Sequence, residues 1–411
     1  MTVVHPIDQT WIGAGGTGAQ NYDEFADDAE ITGIIAANPT SALAIEMPHC
    51  APDSPGGSFS DALPAAVTRL REAKAAGAYQ AVGPAVVLYR ISGSDGPAMY
   101  GMFAMIDTDQ ISGSAGQPGL VIRNEDVFEE KVRERVALTR TTGHLLSPVL
   151  LLQTARGDEL QAALSVAVER AGAPAATDLD HAGRLHEIWP VPAGGAADEL
   201  CAFAGGGELV VADGNHRTLA AQTGGLPRFL AVVTSPASVT IAPYNRLLYE
   251  LPTPDQPDQP DQPDLPGMPG LPGLRTEPVA GTPDGPPPPG TAYLYRAGRF
   301  TAVHLPADPA ASPVDNLDHA LVERHLVRGA WGLDPGDKRI GYVGGDYPVS
   351  WLQDEVDAGR ADAAVIIAPV STEDFVAVNL ARQKMPRKST WFTPKARAGL
   401  VLAELPGGAR P

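Results

Sequence analysis

The stretch ELVVADGNHRTLAAQ, residues 208–222, predicts a buried strand that ends in a tight turn and passes directly into a helix. An acid, a glycine, an amide, an imidazole and a guanidinium occupy five consecutive positions at this corner. Gly214 allows a close approach or a positive φ, the helix expected near Thr218 presents backbone N–H groups, and Arg217 adds a planar fork of donors. The corner therefore predicts an anion site. The alternative is structural: Asp213 caps the helix and Arg217 forms a surface salt bridge.

The remaining side chains of the corner add chemistry to this prediction. Asp213 is suited to hold a cation such as Mg²⁺ or to position a hydroxyl group. His216 is suited to donate to a phosphate or to relay a proton. The nine histidines of the chain have no spacing typical of a zinc site, whereas a magnesium site leaves no such pattern.

Composition limits the partners of the chain. The 411 residues include 49 acids and 30 bases, for a net charge of −19 that opposes binding to the phosphates of nucleic acids. An anionic ligand must therefore be held by a local cluster of donors. Cys50 and Cys201 are too few for a disulfide framework, and we expect both to be reduced packing residues. We expect a cytoplasmic protein without a membrane span or a nucleic-acid partner.

Proline content suggests how the chain is divided. Residues 251–290 hold 14 of the 40 prolines, which predicts an extended, largely disordered insertion, most simply a spacer. The insertion would separate an N-terminal α/β region, residues 1–250, from a C-terminal α/β region, residues 291–411, that completes the same active site. Predicted strands and helices mix without strict alternation on both sides. This pattern favours an α+β, or mixed α/β, fold over a doubly wound sheet.

A second polar corner lies near the end of the chain. The stretch KMPRKSTWFTPKARAGLVL, residues 384–402, places basic and hydroxyl side chains next to two aromatic residues and an apolar run. A solvated basic face is the ordinary interpretation of such a run. The interleaved hydroxyl groups favour a structured loop that binds phosphate or stacks on adenine. Its candidate ligands are Lys388, Ser389, Thr390 and Lys395.

Three further apolar segments end in polar residues. NPTSALAIEMPHC is interpreted as a strand that ends near Glu46, and LVIRNEDVFEEKVRER places Asn124 and Glu125 at a helix start. VTIAPYNRLLYE places Asn245 and Arg246 at the end of another strand. Several polar strand ends in one chain indicate a shared site. In contrast, GAGGTG, residues 13–18, follows a poor strand candidate and no helix start, so we interpret it as a flexible loop rather than a dinucleotide site.

Taken in order, seven motifs resemble a bacterial and archaeal family catalogued as domain of unknown function number one thousand and fifteen. The motifs are NYDEF, NPTSALAI, RNEDVFEEKVRERVALTRTTGHLLSPVLLL, HEIWPV, ADGNHR, APYNRLL and MPRKSTWFTPKARAGLVL. The resemblance implies a fold related to ParB and sulfiredoxin-like nucleotide-binding proteins. Relatives with an Asp-Gly-x-His-Arg corner are kinases of free serine that use a glutamate to activate the hydroxyl. This chain departs from the family by having Asn215, Asn124 and Asn245 where histidine is usual.

The resemblance implies a phosphotransferase that moves a phosphoryl group from ATP or ADP, with Mg²⁺, to a small hydroxy amino acid, serine first. Arg217, His216, Asn215 and Gly214 would then contact phosphates, and Asp213 would hold Mg²⁺ or the acceptor hydroxyl. Arg246 and the C-terminal cluster would contact the nucleotide. Glu46 is the expected general base, with Glu125 in reserve. The alternatives are a non-catalytic nucleotide-binding switch of the ParB type and an inactive scaffold. The sequence gives no oligomeric state.

Overall fold

The computed structural model describes residues 2–22, 24–25, 28–54, 57–93, 96–112, 119–125, 127–251 and 274–407. The chain forms two compact units, Met1–Thr240 with Pro394–Pro411, and Ile241–Thr393. Within the described ranges, no helix has the length and apolar character needed to cross a membrane.

A large mixed sheet organises the first unit. Its strands are β1 (Val4–His5), β2 (Ile7–Gly13), β3 (Tyr79–Ser92), β4 (Met99–Asp107), β5 (Val121–Ile122), β6 (His144–Leu145), β7 (Val149–Gln153), β8 (Ala176–Leu179), β9 (Leu185–Pro192), β10 (Leu209–Asp213) and β11 (Arg228–Thr234). β20 (Val401–Glu404) joins them from the end of the chain. The main strand order is β5-β10-β7-β11-β4-β3-β2-β20-β6, while β1 pairs with β4, and β9 pairs with β3 and β8. β5 runs parallel to β10, and β7 runs parallel to β11. The other described strand pairs of this sheet, such as β10 with β7 and β11 with β4, are antiparallel.

Helices of the first unit cover this sheet. They are α1 (Asp28–Ala37), α2 (Leu43–Glu46), α3 (Phe59–Ala75), α4 (Glu129–Thr142), α5 (Gly157–Ala171), α6 (Ala196–Ala204) and α7 (Asn215–Thr223). α3 begins at a capping box in which the Ser58 hydroxyl accepts from the Asp61 N–H and the Asp61 carboxylate accepts from the Ser58 N–H. Alternate residues of β11, Phe229, Ala231 and Val233, share one core with Leu164 of α5. The period of two places this face of the strand inside.

The second unit is built on a smaller antiparallel sheet. Its strands are β13 (Tyr244–Leu248), β14 (Thr276–Val279), β15 (Thr291–Arg296), β16 (Arg299–His304), β17 (Ile340–Gly344) and β18 (Ala363–Ile367), in the order β14-β16-β15-β18-β13-β17. β12 (Thr240–Ala242) pairs separately with β19 (Trp391–Thr393). The helices are α8 (Asp318–Val322), which continues as a π-helical turn Glu323–Arg328, α9 (Val349–Asp357) and α10 (Thr372–Leu380).

The sheet of the second unit is apolar on both faces. Val365 and Ile367 belong to one core cluster, whereas Ala364 and Ile366 belong to another. Successive side chains of a strand point to opposite faces, so the continuous apolar run at 363–367 fills two cores at once. One unit has a mixed sheet and the other an antiparallel sheet, and both contain helices. This combination confirms the predicted mixed α/β class.

Four local expectations need correction. Trp11 and Ile12 lie inside β2, paired with β3 and β20, whereas no helix begins in the described residues 19–22 directly after the glycine-rich stretch. Residues around Glu46 form the short helix α2, not a strand, because a short apolar run fits either element when all of it is buried. Asn245 and Arg246 lie near the start of β13, after a break at Pro243, not at a strand end. Asn124 and Glu125 precede α4 by several residues, since that helix begins at Glu129.

The proline-rich insertion lies outside the described residues over 252–273. Its remaining part, residues 274–290, includes β14, where we expected no strand. β14 is an edge strand that pairs with β16, and an edge position tolerates Pro278 because the missing donor faces no neighbouring strand.

Candidate active site

The predicted corner lies where two neighbouring strands of the first unit meet at one edge. β10 runs antiparallel to β7, so the carboxyl end of β10 and the chain entering β7 lie side by side. Gly214 follows Asp213 with φ of 100° and caps the N-terminus of α7. A Cβ on Gly214 would lie 3.2 Å from the Arg217 guanidinium and from the Val149 Cα. The positive φ therefore favours glycine, and a side chain here would also crowd Arg217 and Val149.

The polar groups of this corner bind one another. Arg217 Nη2 donates to Asp213 Oδ2 at 2.6 Å, and Arg217 Nη1 donates to the Pro148 carbonyl and to Asn21 Oδ1. Asn21 Nδ2 in turn donates to Asp213 Oδ2 at 3.2 Å. The Arg217 and Asp213 side chains are 8% and 17% exposed, so this is a buried ion pair and not the surface salt bridge of the structural alternative.

A second charged pair extends this network. The Asn21 N–H donates to Glu24 Oε1 at 3.0 Å, and Lys395 Nζ lies 3.8 Å from the same oxygen. Lys395 therefore belongs to the first unit and reaches the corner through Glu24 and Asn21. The neutral Asn21 thus links two ion pairs, Lys395 with Glu24 and Arg217 with Asp213, and these contacts hold each side chain in place.

Glu46 lies beside the corner. The Ser147 hydroxyl donates a short hydrogen bond to Glu46 Oε1. Glu46 is 2% exposed, and it lines a cavity of about 40 Å³ together with Ser147 and Arg217. Burial raises the pKa of the neighbouring Tyr79 well above its ordinary range, and the charge of Glu46 raises it further. The predicted base and the predicted anion-binding residue thus line one cavity.

An arginine that the sequence did not single out holds the segment around Glu46. Arg135 Nη2 donates to the Glu46 carbonyl at 3.2 Å, and the guanidinium lies 4.0 Å from the centre of the Tyr22 ring. Like Ser147 and Glu24, Arg135 had no sequence signal of its own beyond membership of a family motif. Each of the three contacts a predicted residue that is distant in the sequence.

Asn124 and Asn215, two positions where the resemblance implies histidine, form a matched amide pair. Asn215 Nδ2 donates to Asn124 Oδ1 at 2.5 Å, and the Asn124 N–H donates to Asn215 Oδ1 at 3.3 Å. Both residues are buried. Asn124 and Asn215 therefore satisfy each other's hydrogen-bonding groups at the start of α7. Glu125 follows directly on the same loop.

His216 supports the start of α4. Its Nε2 accepts the Phe128 N–H at 3.0 Å, so the proton of the neutral ring is on Nδ1. The ring stacks on Phe128 with an interplanar angle of 7° and is 4% exposed. In this arrangement the imidazole positions the segment that leads into α4.

The other predicted ligands lie in the second unit. Asn245 Oδ1 accepts the Ile367 N–H, and the fully buried Arg246 donates to Glu323 and to the carbonyls of Tyr244 and Lys388. Lys388 has a φ of 51°, Ser389 is buried, and Thr390 precedes β19. Trp391 packs edge-on against Tyr244, which places it in the core of this unit. The bonds from Arg246 to the carbonyls of Arg387 and Lys388 hold this loop, in which Lys388 has a left-handed backbone conformation.

Three solved structures have a weak similarity to this chain. A free serine kinase in complex with AMP is 10% identical with a TM-score of 0.38, over 71% of this chain and 87% of that chain. A conserved hypothetical protein from Pyrococcus furiosus is 11% identical with a TM-score of 0.37, over 71% and 90%. SbnI from Staphylococcus aureus, truncated at its C-terminus, is 12% identical with a TM-score of 0.36, over 72% and 85%. No curated protein matches the sequence.

The residues of the Asp213–Arg217 corner lie within the part of the chain that matches a protein-family model. The family model described as Protein of unknown function (DUF1015) matches residues 17–259, which is more than half of the chain and includes Asn21, Glu46 and the whole stretch from Asp213 to Arg217. The chain belongs to this family.

Proposed function

We propose that the protein binds a nucleotide at the Asp213–Arg217 corner and transfers a phosphoryl group from ATP or ADP to the hydroxyl of a free amino acid, serine first. The observation that carries this proposal is that Glu46, Ser147 and Arg217 line one cavity. Phosphoryl transfer requires charge stabilisation for the phosphates and a group that accepts the proton of the attacking hydroxyl. Arg217 would supply the positive charge and Glu46 would accept the proton, and both residues line this cavity.

The phosphates would lie at the N-terminus of α7. The first turn of a helix favours an anion. Arg217 and Lys395 add positive charge on an otherwise acidic chain. The nucleotide contacts predicted for Arg246 and the 388–390 loop lie in the second unit and stay a prediction.

Asp213 suits Mg²⁺, which binds through one or two carboxylates together with substrate phosphates. Arg217 and Asn21 both bond to Oδ2, so these contacts orient the carboxylate and leave Oδ1 for a cation. Mg²⁺ would neutralise phosphate charge there. The ion pair with Arg217 holds the orientation of this carboxylate.

Glu46 is the proposed general base. The hydrogen bond from the Ser147 hydroxyl shows that an O–H group fits against this carboxylate. An acceptor hydroxyl in a similar place would give its proton to Glu46 while its oxygen bonds to the terminal phosphorus and the bond from phosphorus to the leaving nucleotide oxygen breaks. Glu125 is the reserve base, on the loop that carries Asn124. His216, buried against Phe128, would position this loop or relay a proton.

Incubation of the purified protein with Mg²⁺, ATP or ADP, and serine, threonine or homoserine tests the proposal by mass spectrometry of the products. We expect a phosphorylated amino acid, and we expect Glu46→Gln to lower kcat by about 100-fold or more without changing nucleotide affinity. Glu72→Gln, an exposed glutamate on α3, is the matched control and should have wild-type activity.

Calorimetric titration with ATP and ADP separates the alternatives. Nucleotide binding without any product would contradict the kinase and favour the non-catalytic switch. Absence of both nucleotide binding and product would exclude the kinase and the switch, and the inactive scaffold would be the remaining hypothesis.

A further inference from the structure

Three potential metal ligands of different types meet on the first unit, apart from the corner. Asp28 begins α1, and His49 and Cys50 lie in the short 3₁₀ turn Pro48–Cys50 that follows α2. One ligand atom from each of the three lies within 4.8 Å of the others. No other cluster of this kind occurs among the described residues.

The distances suit a small tetrahedral ion. His49 Nε2 and Cys50 Sγ are 3.6 Å apart. Bonds of about 2.3 Å to sulfur and about 2.0 Å to nitrogen place two ligand atoms of a tetrahedral Zn²⁺ site about 3.5 Å apart. The thiol and the imidazole therefore already have the required spacing, and a carboxylate oxygen of exposed Asp28 lies within 4.8 Å of both.

The surroundings favour a cation. The carboxylates of Asp28 and Glu134 place negative charge near the Cys50 thiol. A divalent ion is attracted by these carboxylates and stabilises a thiolate ligand. His49 Nδ1 is buried without a hydrogen-bond partner among the described residues, so contact with Phe59 and the Cys50 thiol sets the ring orientation.

We propose that Asp28, His49 and Cys50 form a binding site for Zn²⁺, with the fourth coordination position open to water. A sulfur, a nitrogen and a carboxylate oxygen are the donor types that zinc takes, whereas magnesium and calcium prefer oxygen alone. The ion clamps the first turn of α1 to the segment that carries Glu46, three positions before His49. The site is independent of the proposed kinase activity.

Cobalt titration of the reduced, chelator-treated protein tests this site. We expect one equivalent of Co²⁺ to produce the charge-transfer absorption of a cobalt–thiolate bond and the visible bands of a tetrahedral site, and Zn²⁺ to remove both. Cys50→Ala should abolish the charge-transfer band. Cys201→Ala, which removes the second buried cysteine, should keep it.

Asp28→Asn gives a second variant at an exposed position, where the fold does not depend on the side chain. It should weaken Co²⁺ affinity about tenfold or more, whereas Asp158→Asn, an exposed acid in the first turn of α5, should leave the affinity unchanged. Absence of the band in the wild type, its persistence in Cys50→Ala, or equal affinities of the two aspartate variants would each overturn the proposal.

Discussion

Arg217→Ala gives the sharpest test of how the corner is held. The substitution removes the donors to Asp213 Oδ2, Asn21 Oδ1 and the Pro148 carbonyl. Breaking a buried ion pair costs about 3–5 kcal/mol because the remaining charge loses its partner. Asp213 is 17% exposed and retains the Asn21 amide, so we expect the lower end, about 3 kcal/mol. The site variant should therefore be clearly less stable than the wild type, even without nucleotide.

The assay is calorimetric unfolding of the nucleotide-free protein. About 3 kcal/mol corresponds to a decrease in Tm of about 6–12 °C for the first unit. Arg133→Ala is the matched control, because Arg133 pairs with Glu129 at the same i, i+4 spacing while both side chains are at least 72% exposed. A surface pair of this kind contributes about 0.3–0.5 kcal/mol.

The double variant Arg217→Ala with Asp213→Asn separates two contributions to the loss of stability. One is the loss of the ion pair, and the other is the cost of a buried Asp213 carboxylate that has no cationic partner. The amide removes the uncompensated carboxylate, so the double variant should regain about 1 kcal/mol relative to Arg217→Ala alone. If Arg217→Ala were no more destabilising than Arg133→Ala, or if the added Asp213→Asn only destabilised further, the reasoning from a buried pair would be refuted.

Three further predictions follow from the described contacts. Gly214→Ala should destabilise the first unit by about 1–3 kcal/mol in urea unfolding, because φ is 100° and the new Cβ meets the Arg217 guanidinium; an unchanged midpoint would contradict this. Asn124→Ala should cost about 1–3 kcal/mol in the same assay by leaving the buried Asn215 amide unsatisfied, whereas simultaneous Asn124→Ala and Asn215→Ala should cost less than the sum. Burial and the charge of Arg246 lower the pKa of His319 to about 3, so the folded second unit binds fewer protons than the unfolded chain between about pH 6.5 and pH 3. Its stability should fall as the pH decreases through this window, and His319→Gln should reduce that slope; identical pH profiles would exclude His319 as the cause.

Local sequence was sufficient for the elements that define the corner. An apolar run followed by Asp213 and Gly214 can end a strand and begin a helix without help from distant residues. β10 ends at Asp213 as expected, whereas α7 begins at Asn215, three residues before the start expected near Thr218. The apolar runs and turn residues of β7, β18 and the β15–β16 hairpin are likewise contiguous. In each case the signal lies within one strand or one turn, the range over which side-chain period and glycine placement act.

Tertiary structure alone decided which polar groups meet. Asn21 and Asp213 are 192 positions apart, and Glu46 and Ser147 are 101 apart, yet each pair is hydrogen-bonded. Strand pairing brings the end of β10 beside the start of β7, and no local pattern encodes that register. The helical form of α2 likewise depends on burial of all four of its residues. The sequence determined the chemical groups and the corner that presents them, while long-range packing determined their partners, because a side-chain contact forms between segments and not within one.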